Sequence, residues 1–182
     1  ENIGSCGKPA THTEMRIVDS HGVDVADGEP GELLLRGPNI FTGYWGNLSA
    51  TEEAFAAGGW FRTGDVGYED DGGFVYISDR IKDVVISGGE NVYPAEVEPV
   101  LAQHPLITEV AVIGVPDDRW GEVPVAVVVL ASDAELDLAD LRDWCEGRLA
   151  RFKQPRAVRI VDGLPRTALG KVKKHELRGA VG

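Results

Sequence analysis

Two apolar segments in the second half of the chain place the strongest constraint on its fold. Val110–Val115 and Val123–Leu130 are rich in valine and have the length of β-strands. The second segment contains no polar side chain, so both of its faces must be covered by other parts of the protein. This pattern predicts a sheet with helices packed on its two sides.

The sequence around these strands supplies the helices. Pro94 is suited to the first position of a helix that turns Val97, Val100 and Leu101 inward. Pro99 conflicts with that helix, because an interior proline costs about 3 kcal/mol, so we expect a later start or a kink. The remaining predicted elements of this half are a hairpin of Asp83–Ser87 with Glu90–Tyr93, a helix with inward-facing Leu138, Leu141, Cys145, Leu149 and Phe152, a strand at Ala157–Val161, and a helix at Lys173–Ala180.

The first half of the chain reads as β-rich. Glu14–Val18, Glu32–Arg36 and Phe74–Ser78 are short strand candidates. One helix interrupts them, with Ser49 as its N-cap and Glu52 completing a capping box. We therefore expect an α+β protein in which residues 81–182 form a small three-layer domain and residues 1–80 are an incomplete, β-rich part of a larger one.

Charge and composition exclude several classes of protein. The net charge of −12 argues against nucleic-acid or anionic-membrane partners. The basic residues cluster between Arg142 and Arg178, which fits either a solvated face or phosphate contacts. No segment has the ~18 apolar residues of a membrane span.

Neither the scattered histidines nor the distant Cys6 and Cys145 suggest a metal site or disulfide framework, so we expect a reducing, cytoplasmic location and core packing for Cys145. The beginning at Glu1, without Met or a signal peptide, suggests a piece of a longer protein.

Three polar segments carry the candidate chemistry. Asp65 lies between Gly64 and Val66-Gly67, where its carboxylate could accept hydrogen bonds from two adjacent sugar hydroxyls or simply cap a turn. The segment Ser78–Asn91 contains Arg80 and Lys82 where the two halves join, followed by a Ser-Gly-Gly turn that either contacts a ligand or only closes a hairpin. Thr167–Gly170 reads as a flexible turn that presents Lys171, a compact cation for a phosphate or a carboxylate, or a solvated lysine before a helix.

The order and spacing of these segments resemble the adenylate-forming superfamily of acyl-CoA and aryl-CoA synthetases, luciferases and peptide-synthetase adenylation domains. The resemblance runs through essentially the whole chain and favours the functional alternative for each segment. The similar segments are Gly31–Gly37 (GELLLRG), Gly43-Tyr44-Trp45, Thr51-Glu52, Trp60–Gly67 (WFRTGDVG), Arg80–Glu98, Phe152–Pro155 (FKQP) and Pro165–Lys171 (PRTALGK).

The resemblance implies a role for each candidate residue. Asp65 and Arg80 would bind the ribose of ATP or AMP, and Lys82 would lie at a hinge. Ser87, Gly88 and Gly89 would line the path of the CoA pantetheine. Lys171 would be catalytic, bridging the nucleotide and the substrate carboxylate during adenylation.

The resemblance also implies an activity. The intact enzyme would use Mg²⁺ and ATP to convert a carboxylic acid, expected to be a fatty acid, to an acyl-adenylate, and would transfer the acyl group to coenzyme A after the small domain rotates. The phosphate loop, the adenine site and most of the acyl pocket would lie upstream, so we expect this piece to be inactive alone. Two alternatives stay open: a peptide-synthetase adenylation domain, and a non-catalytic nucleotide-binding or interaction module.

Overall fold

A computed structural model describes residues 2–132 and 134–181. The chain is α+β and divides into two compact units, Glu1–Lys82 and Asp83–Gly182. Within the described residues, none of the helices is long and apolar enough to span a membrane.

The first unit is built around one antiparallel sheet of five strands. The long strand β4 is central: its first half pairs with β2 on one side and β3 on the other, and its second half pairs with β2 and β5. The strand β1 pairs with β2 at the edge, and Val18, Leu34 and Trp60 form the buried cluster. The elements are β1 (Glu14–Val18), β2 (Gly31–Arg36), α1 (Leu48–Ala54), β3 (Phe55–Ala56), β4 (Trp60–Glu69) and β5 (Val75–Arg80).

The predicted N-cap of α1 is wrong. The helix begins at Leu48, and the side chain of Asn47 accepts a hydrogen bond from the Ala50 amide at 3.0 Å. Ser49 lies inside the first turn, where its hydroxyl donates to Glu53 at 3.3 Å. Asparagine is as good an N-cap as serine, so the sequence offered two competing starts and the earlier one is used.

The second unit contains a five-stranded mixed sheet with helices on both sides. Strand β9 lies at its centre, antiparallel to β8 and to β6 and parallel to β10. The two strands β6 and β7 form the predicted hairpin. The elements are β6 (Val85–Ser87), β7 (Glu90–Val92), α2 (Pro94–Leu101), β8 (Ile107–Asp117), β9 (Gly121–Leu130), α3 (Leu138–Cys145), β10 (Ala157–Ile160) and α4 (Lys174–Val181).

The burial of β9 on both faces confirms the expectation from its sequence. Ala126 and Val128 belong to a core that includes residues of α2 and α3, whereas Val125 and Val127 belong to a second core with Leu177 of α4. These side chains are at most 5% exposed, and full burial of a valine or leucine side chain stabilises the fold by about 1.5–3 kcal/mol. The unit therefore has the three layers that the sequence predicts.

Two helices differ in detail from the prediction. Helix α2 begins at Pro94 and contains Pro99, so the proline neither delays its start nor ends it. Helix α3 ends at Cys145, before Leu149 and Phe152, and is followed by Gly147 in a left-handed conformation (φ 73°). Phe152 lies instead in a short 3₁₀ helix, Arg151–Lys153, from which it packs against the same core.

Cys145 is fully buried, as expected for a core residue, whereas Cys6 is exposed. Burial raises the pKa of the Cys145 thiol, which lowers its thiolate fraction as well as its accessibility. We expect a thiol reagent at pH 8 to modify Cys6 rapidly and Cys145 only as fast as the protein unfolds. Counting modified thiols with and without denaturant tests this, and rapid modification of both in the native protein would contradict the packing of α3.

Candidate functional site

The predicted ribose-binding residues lie side by side in the first unit. Strands β4 and β5 place Asp65 opposite Arg80, and the Arg80 Nε lies 3.1 Å from Oδ1 of Asp65. Both side chains reach solvent, with 30% of Asp65 and 57% of Arg80 exposed. A carboxylate held from one side by a guanidinium keeps acceptor capacity for hydroxyl groups on the other.

Asp65 lies in a strand rather than in the turn that its flanking glycines suggested. The hydroxyl of Thr63 accepts a hydrogen bond from the Asp65 amide at 3.1 Å and donates one to the Leu33 carbonyl at 2.8 Å. Gly64 between them has φ 72°, a value that glycine adopts readily. Sequence reasoning did not identify Thr63 as a support for Asp65, although a hydroxyl two residues before a functional side chain is a recognisable local signal.

Lys82 lies in a short 3₁₀ helix, Ile81–Asp83. The boundary between the two compact units falls directly after it, between Lys82 and Asp83. None of the three residues of this helix is buried, and residues at the end of an element can absorb a backbone rotation.

The Ser87-Gly88-Gly89 segment forms the tight turn between β6 and β7. Gly88 and Gly89 both have positive φ, 63° and 87°, as a two-residue hairpin turn of this kind requires. Ser87 is 5% exposed and pairs with Gly121 of β9. The turn is therefore fixed to the centre of the sheet through its first residue.

The ring of Trp120 lies against this turn. The Gly88 amide donates to the Trp120 carbonyl at 2.8 Å, and a Cβ on Gly88 would lie 2.6 Å from the indole ring. The Arg156 guanidinium covers the ring at 4.5 Å from its centroid. No local pattern marks Trp120 as a partner of Gly88, since they are distant in sequence and meet only through the pairing of β6 with β9.

Lys171 follows a hydrogen-bonded turn. The Thr167 amide donates to the Lys171 carbonyl at 2.8 Å, and the Gly170 amide donates to the Thr167 carbonyl at 2.9 Å. The Lys171 amide donates to the Thr167 hydroxyl at 3.2 Å. These bonds define the turn that the sequence predicted as flexible, and they place the backbone of Lys171 in one orientation.

The Lys171 side chain is exposed. Within residues 2–132 and 134–181, its ammonium group has no hydrogen bond or ion pair. Lys153, Lys173 and Lys174 in the same unit each pair with a glutamate at 2.6–2.9 Å. Lys171 is thus a cation that an external phosphate or carboxylate can reach without first displacing a carboxylate of the described chain.

The described residues contain no group of three or more His, Cys, Asp or Glu side chains that could hold a metal ion. The arrangement consists of an acceptor–cation pair in the first unit, and a glycine turn and an unpaired lysine in the second.

Comparison with known proteins identifies the family to which these features belong. Residues 96–171 match the profile described as AMP-binding enzyme C-terminal domain, and residues 1–45 match the profile described as AMP-binding enzyme. The first of these matches covers most of the second compact unit, and the other covers the beginning of the first unit.

Three similar proteins agree with this assignment. Indoleacetate–CoA ligase of Aromatoleum aromaticum is 50% identical over 98% of this chain and 35% of its own length. ATP-bound MatB from Rhodopseudomonas palustris superimposes with a TM-score of 0.87 at 41% identity, over 97% of this chain and 35% of that one. o-Succinylbenzoate CoA synthetase (MenE) from Bacillus subtilis, in complex with its acyl-adenylate intermediate OSB-AMP, gives 0.86 at 42% identity, over 97% and 36%.

The chain therefore spans about a third of the length of the proteins it matches, with high similarity along nearly all of its own length. The motifs at Asp65, Ser87–Gly89 and Lys171 fall within these alignments' span, and the fold agrees with that of the solved structures. The chain belongs to the adenylate-forming, AMP-binding enzyme superfamily and corresponds to the C-terminal portion of its members.

Proposed function

We propose that the full-length protein is an AMP-forming acid–CoA ligase and that this chain supplies its mobile C-terminal part. The observation that carries the proposal is the exposed Lys171 ammonium, which stands without a partner in the described chain on a hydrogen-bonded turn. Adenylation brings two anions together, the substrate carboxylate and the α-phosphate of ATP. A positioned cation at their junction stabilises both the encounter and the charge that develops.

In this proposal residues 1–80 complete a larger nucleotide-binding domain, and residues 81–182 form the small domain that rotates between the two half-reactions. Lys82 is the hinge residue, a role supported by the unit boundary that follows it. Asp65 and Arg80 bind the ribose, a role supported by their 3.1 Å contact and their exposure. Mg²⁺ bound to ATP would neutralise part of the phosphate charge.

Each half-reaction exchanges one bond for another. First, a carboxylate oxygen attacks the α-phosphorus, and the bond to pyrophosphate breaks. Second, the CoA sulfur attacks the acyl carbon, its thiol proton is lost, and the bond to AMP breaks. The Ser87–Gly89 turn lines the thiol's approach in the second step, because its glycines allow a ligand close to the backbone.

The substrate that the similar proteins favour is an aromatic acid. One is named for indoleacetate, and another was solved with an o-succinylbenzoate adenylate. Neither supports the fatty acid expected from the sequence.

Acid-dependent exchange of pyrophosphate into ATP tests the proposed activity. We expect the full-length protein to catalyse exchange with indole-3-acetate or 2-succinylbenzoate, to form the CoA thioester when CoA is added, and to respond weakly to octanoate and palmitate. Exchange without thioester formation would favour a carrier-protein acceptor, as in a peptide synthetase. Absence of exchange with every acid would favour a non-catalytic module and contradict the proposal.

A proline at position 82 is expected to slow thioester formation far more than adenylation. Proline fixes φ near −65°, so Lys82→Pro restricts the rotation that must separate the half-reactions, whereas Lys82→Ala removes only the side chain. We expect Lys82→Pro to lower the thioester rate by about tenfold or more, with pyrophosphate exchange close to that of Lys82→Ala. An equal fall of both half-reactions would contradict a hinge at this position.

A further inference from the structure

The arginine that precedes the Lys171 turn ties that turn to the central sheet. One amino group of Arg166, Nη1, donates to the Gly170 carbonyl at 2.8 Å. The other, Nη2, donates to the Glu109 carboxylate on β8. Because the Gly170 carbonyl belongs to the peptide bond that leads into Lys171, one guanidinium connects a residue of the sheet to the backbone of the candidate catalytic lysine.

This connection adds an anchor on the sheet to the hydrogen bonds that the turn makes within itself. Leu164 before the turn and Leu177 after it are buried in the core on one face of the sheet, and Val172 packs against that core. Glu109 and Ala111 are two residues apart on β8, so their side chains point to the same face of the sheet. Ala111 belongs to this core, and Glu109 therefore lies on the same face as the turn. Residues 166–171 between these apolar anchors are exposed and depend on hydrogen bonds for their conformation.

We propose that Arg166 and Glu109 are positioning residues that orient Lys171 for adenylation, an inference that rests on the proposed function. Arg166 and Glu109 are 44% and 38% exposed, and an exposed ion pair adds only about 0–1 kcal/mol to stability. The main consequence of the pair is therefore geometric. Lysine has a flexible four-carbon stem, so the direction of its ammonium group depends on how its backbone is held.

The fork of the arginine side chain is essential to this arrangement. Its two amino groups reach the Gly170 carbonyl and the Glu109 carboxylate at once, whereas the single ammonium of a lysine cannot reproduce both in the same geometry. Arg166→Lys therefore keeps the charge but loosens the turn. Glu109→Gln keeps the size of the side chain but removes the charge that orients the guanidinium.

The test measures both half-reactions in the full-length enzyme. We expect Arg166→Lys and Glu109→Gln each to lower the rate constant of adenylation by about 10- to 100-fold, with the KM for ATP and the transfer from a supplied acyl-adenylate nearly unchanged. Glu96→Gln is the matched control, because it breaks another exposed ion pair of the same unit, Lys153–Glu96 at 2.6 Å. Its adenylation rate should equal that of the wild type.

A second background separates positioning from general damage. If Arg166 acts through Lys171, then Arg166→Lys causes no further loss of adenylation in a Lys171→Ala enzyme, whereas a structural role predicts an additional loss in both half-reactions. Suppose that the wild type catalyses adenylation and the Lys171→Ala variant does not. An adenylation rate of Arg166→Lys equal to that of Glu96→Gln would then overturn this inference alone. Absence of exchange in the wild type would overturn the proposed function and this inference with it.

Discussion

Replacing Lys171 by alanine in the full-length enzyme is expected to lower the rate of adenylation by about 10²–10³-fold, the usual effect of losing one preorganised charge contact in a transition state. The rate of thioester formation from a supplied acyl-adenylate should stay close to that of the wild type. The physical reason is that the cation is needed where the carboxylate meets the α-phosphate. In the second step of the proposed mechanism the thiol would need that space, and rotation of the small domain would have moved the lysine away.

The structure supplies a matched control for this experiment. Lys173 lies two residues further on, and its ammonium group pairs with Glu176 at 2.8 Å, whereas that of Lys171 has no partner within the described chain. Lys173→Ala should therefore leave both half-reactions nearly unchanged. Because substitutions of exposed residues change stability by about 0.5 kcal/mol or less, Lys171→Ala should unfold at the wild-type temperature. Equal losses in both half-reactions, or a similar loss in Lys173→Ala, would contradict the assignment.

The fold could be predicted where hydrophobic pattern decides the structure. The burial of β9 on both faces follows from eight consecutive residues without a polar side chain, and the helices that cover it follow from apolar spacing. Prediction failed where two local signals compete at nearly equal cost. Asn47 and Ser49 are both good helix caps, and Cys145 and Leu149 both continue the apolar spacing of α3 although the helix ends between them.

The sequence names the candidate residues of the site, whereas the contacts between them appear only in the folded structure. The motifs predict roles for Asp65, Arg80 and Lys171, and the chemistry of each side chain is compatible with its predicted role. The contact between Asp65 and Arg80 depends on the register of β4 with β5. The Glu109–Arg166 pair joins residues 57 positions apart, and the packing of Trp120 on Gly88 depends on the meeting of β6 with β9. No periodicity in the sequence encodes such long-range contacts.

Substituting alanine for Gly88 is expected to destabilise the protein more than the same substitution at Gly89. Both glycines have left-handed backbone angles, 63° and 87°, so each variant bears a strain of roughly 1–2 kcal/mol. At Gly88 the new methyl group would also lie 2.6 Å from Cε3 and 2.9 Å from Cζ3 of Trp120, whereas at Gly89 it would meet no atom within 4 Å. Overpacking of this kind adds about 1–3 kcal/mol.

Comparing the two variants thus separates backbone strain from steric conflict within one turn. The ring of Trp120 cannot easily yield, because the Arg156 and Arg119 guanidinium groups lie over it at 4.5 and 4.9 Å from its centroid. Chemical denaturation of the two variants should show the larger loss for Gly88→Ala, and the difference should shrink when a smaller side chain replaces the ring in Trp120→Leu. Equal losses at Gly88 and Gly89 would contradict the packing of the indole on the turn.

The same substitution links the geometry of the turn to the second half-reaction. If Ser87–Gly89 lines the path of the pantetheine, a displaced turn obstructs the thiol but leaves the nucleotide and the acid where they were. We therefore expect Gly88→Ala, assayed in the full-length enzyme below its unfolding temperature, to slow thioester formation by about tenfold or more while pyrophosphate exchange changes little.

Gly89→Ala, whose added methyl group meets open space, distinguishes a narrowed path from a displaced turn. A loss confined to Gly88→Ala indicates displacement by Trp120, and a loss in both variants indicates that the path itself has no room for a methyl group. Unchanged thioester formation in both would exclude this turn from the thiol's approach.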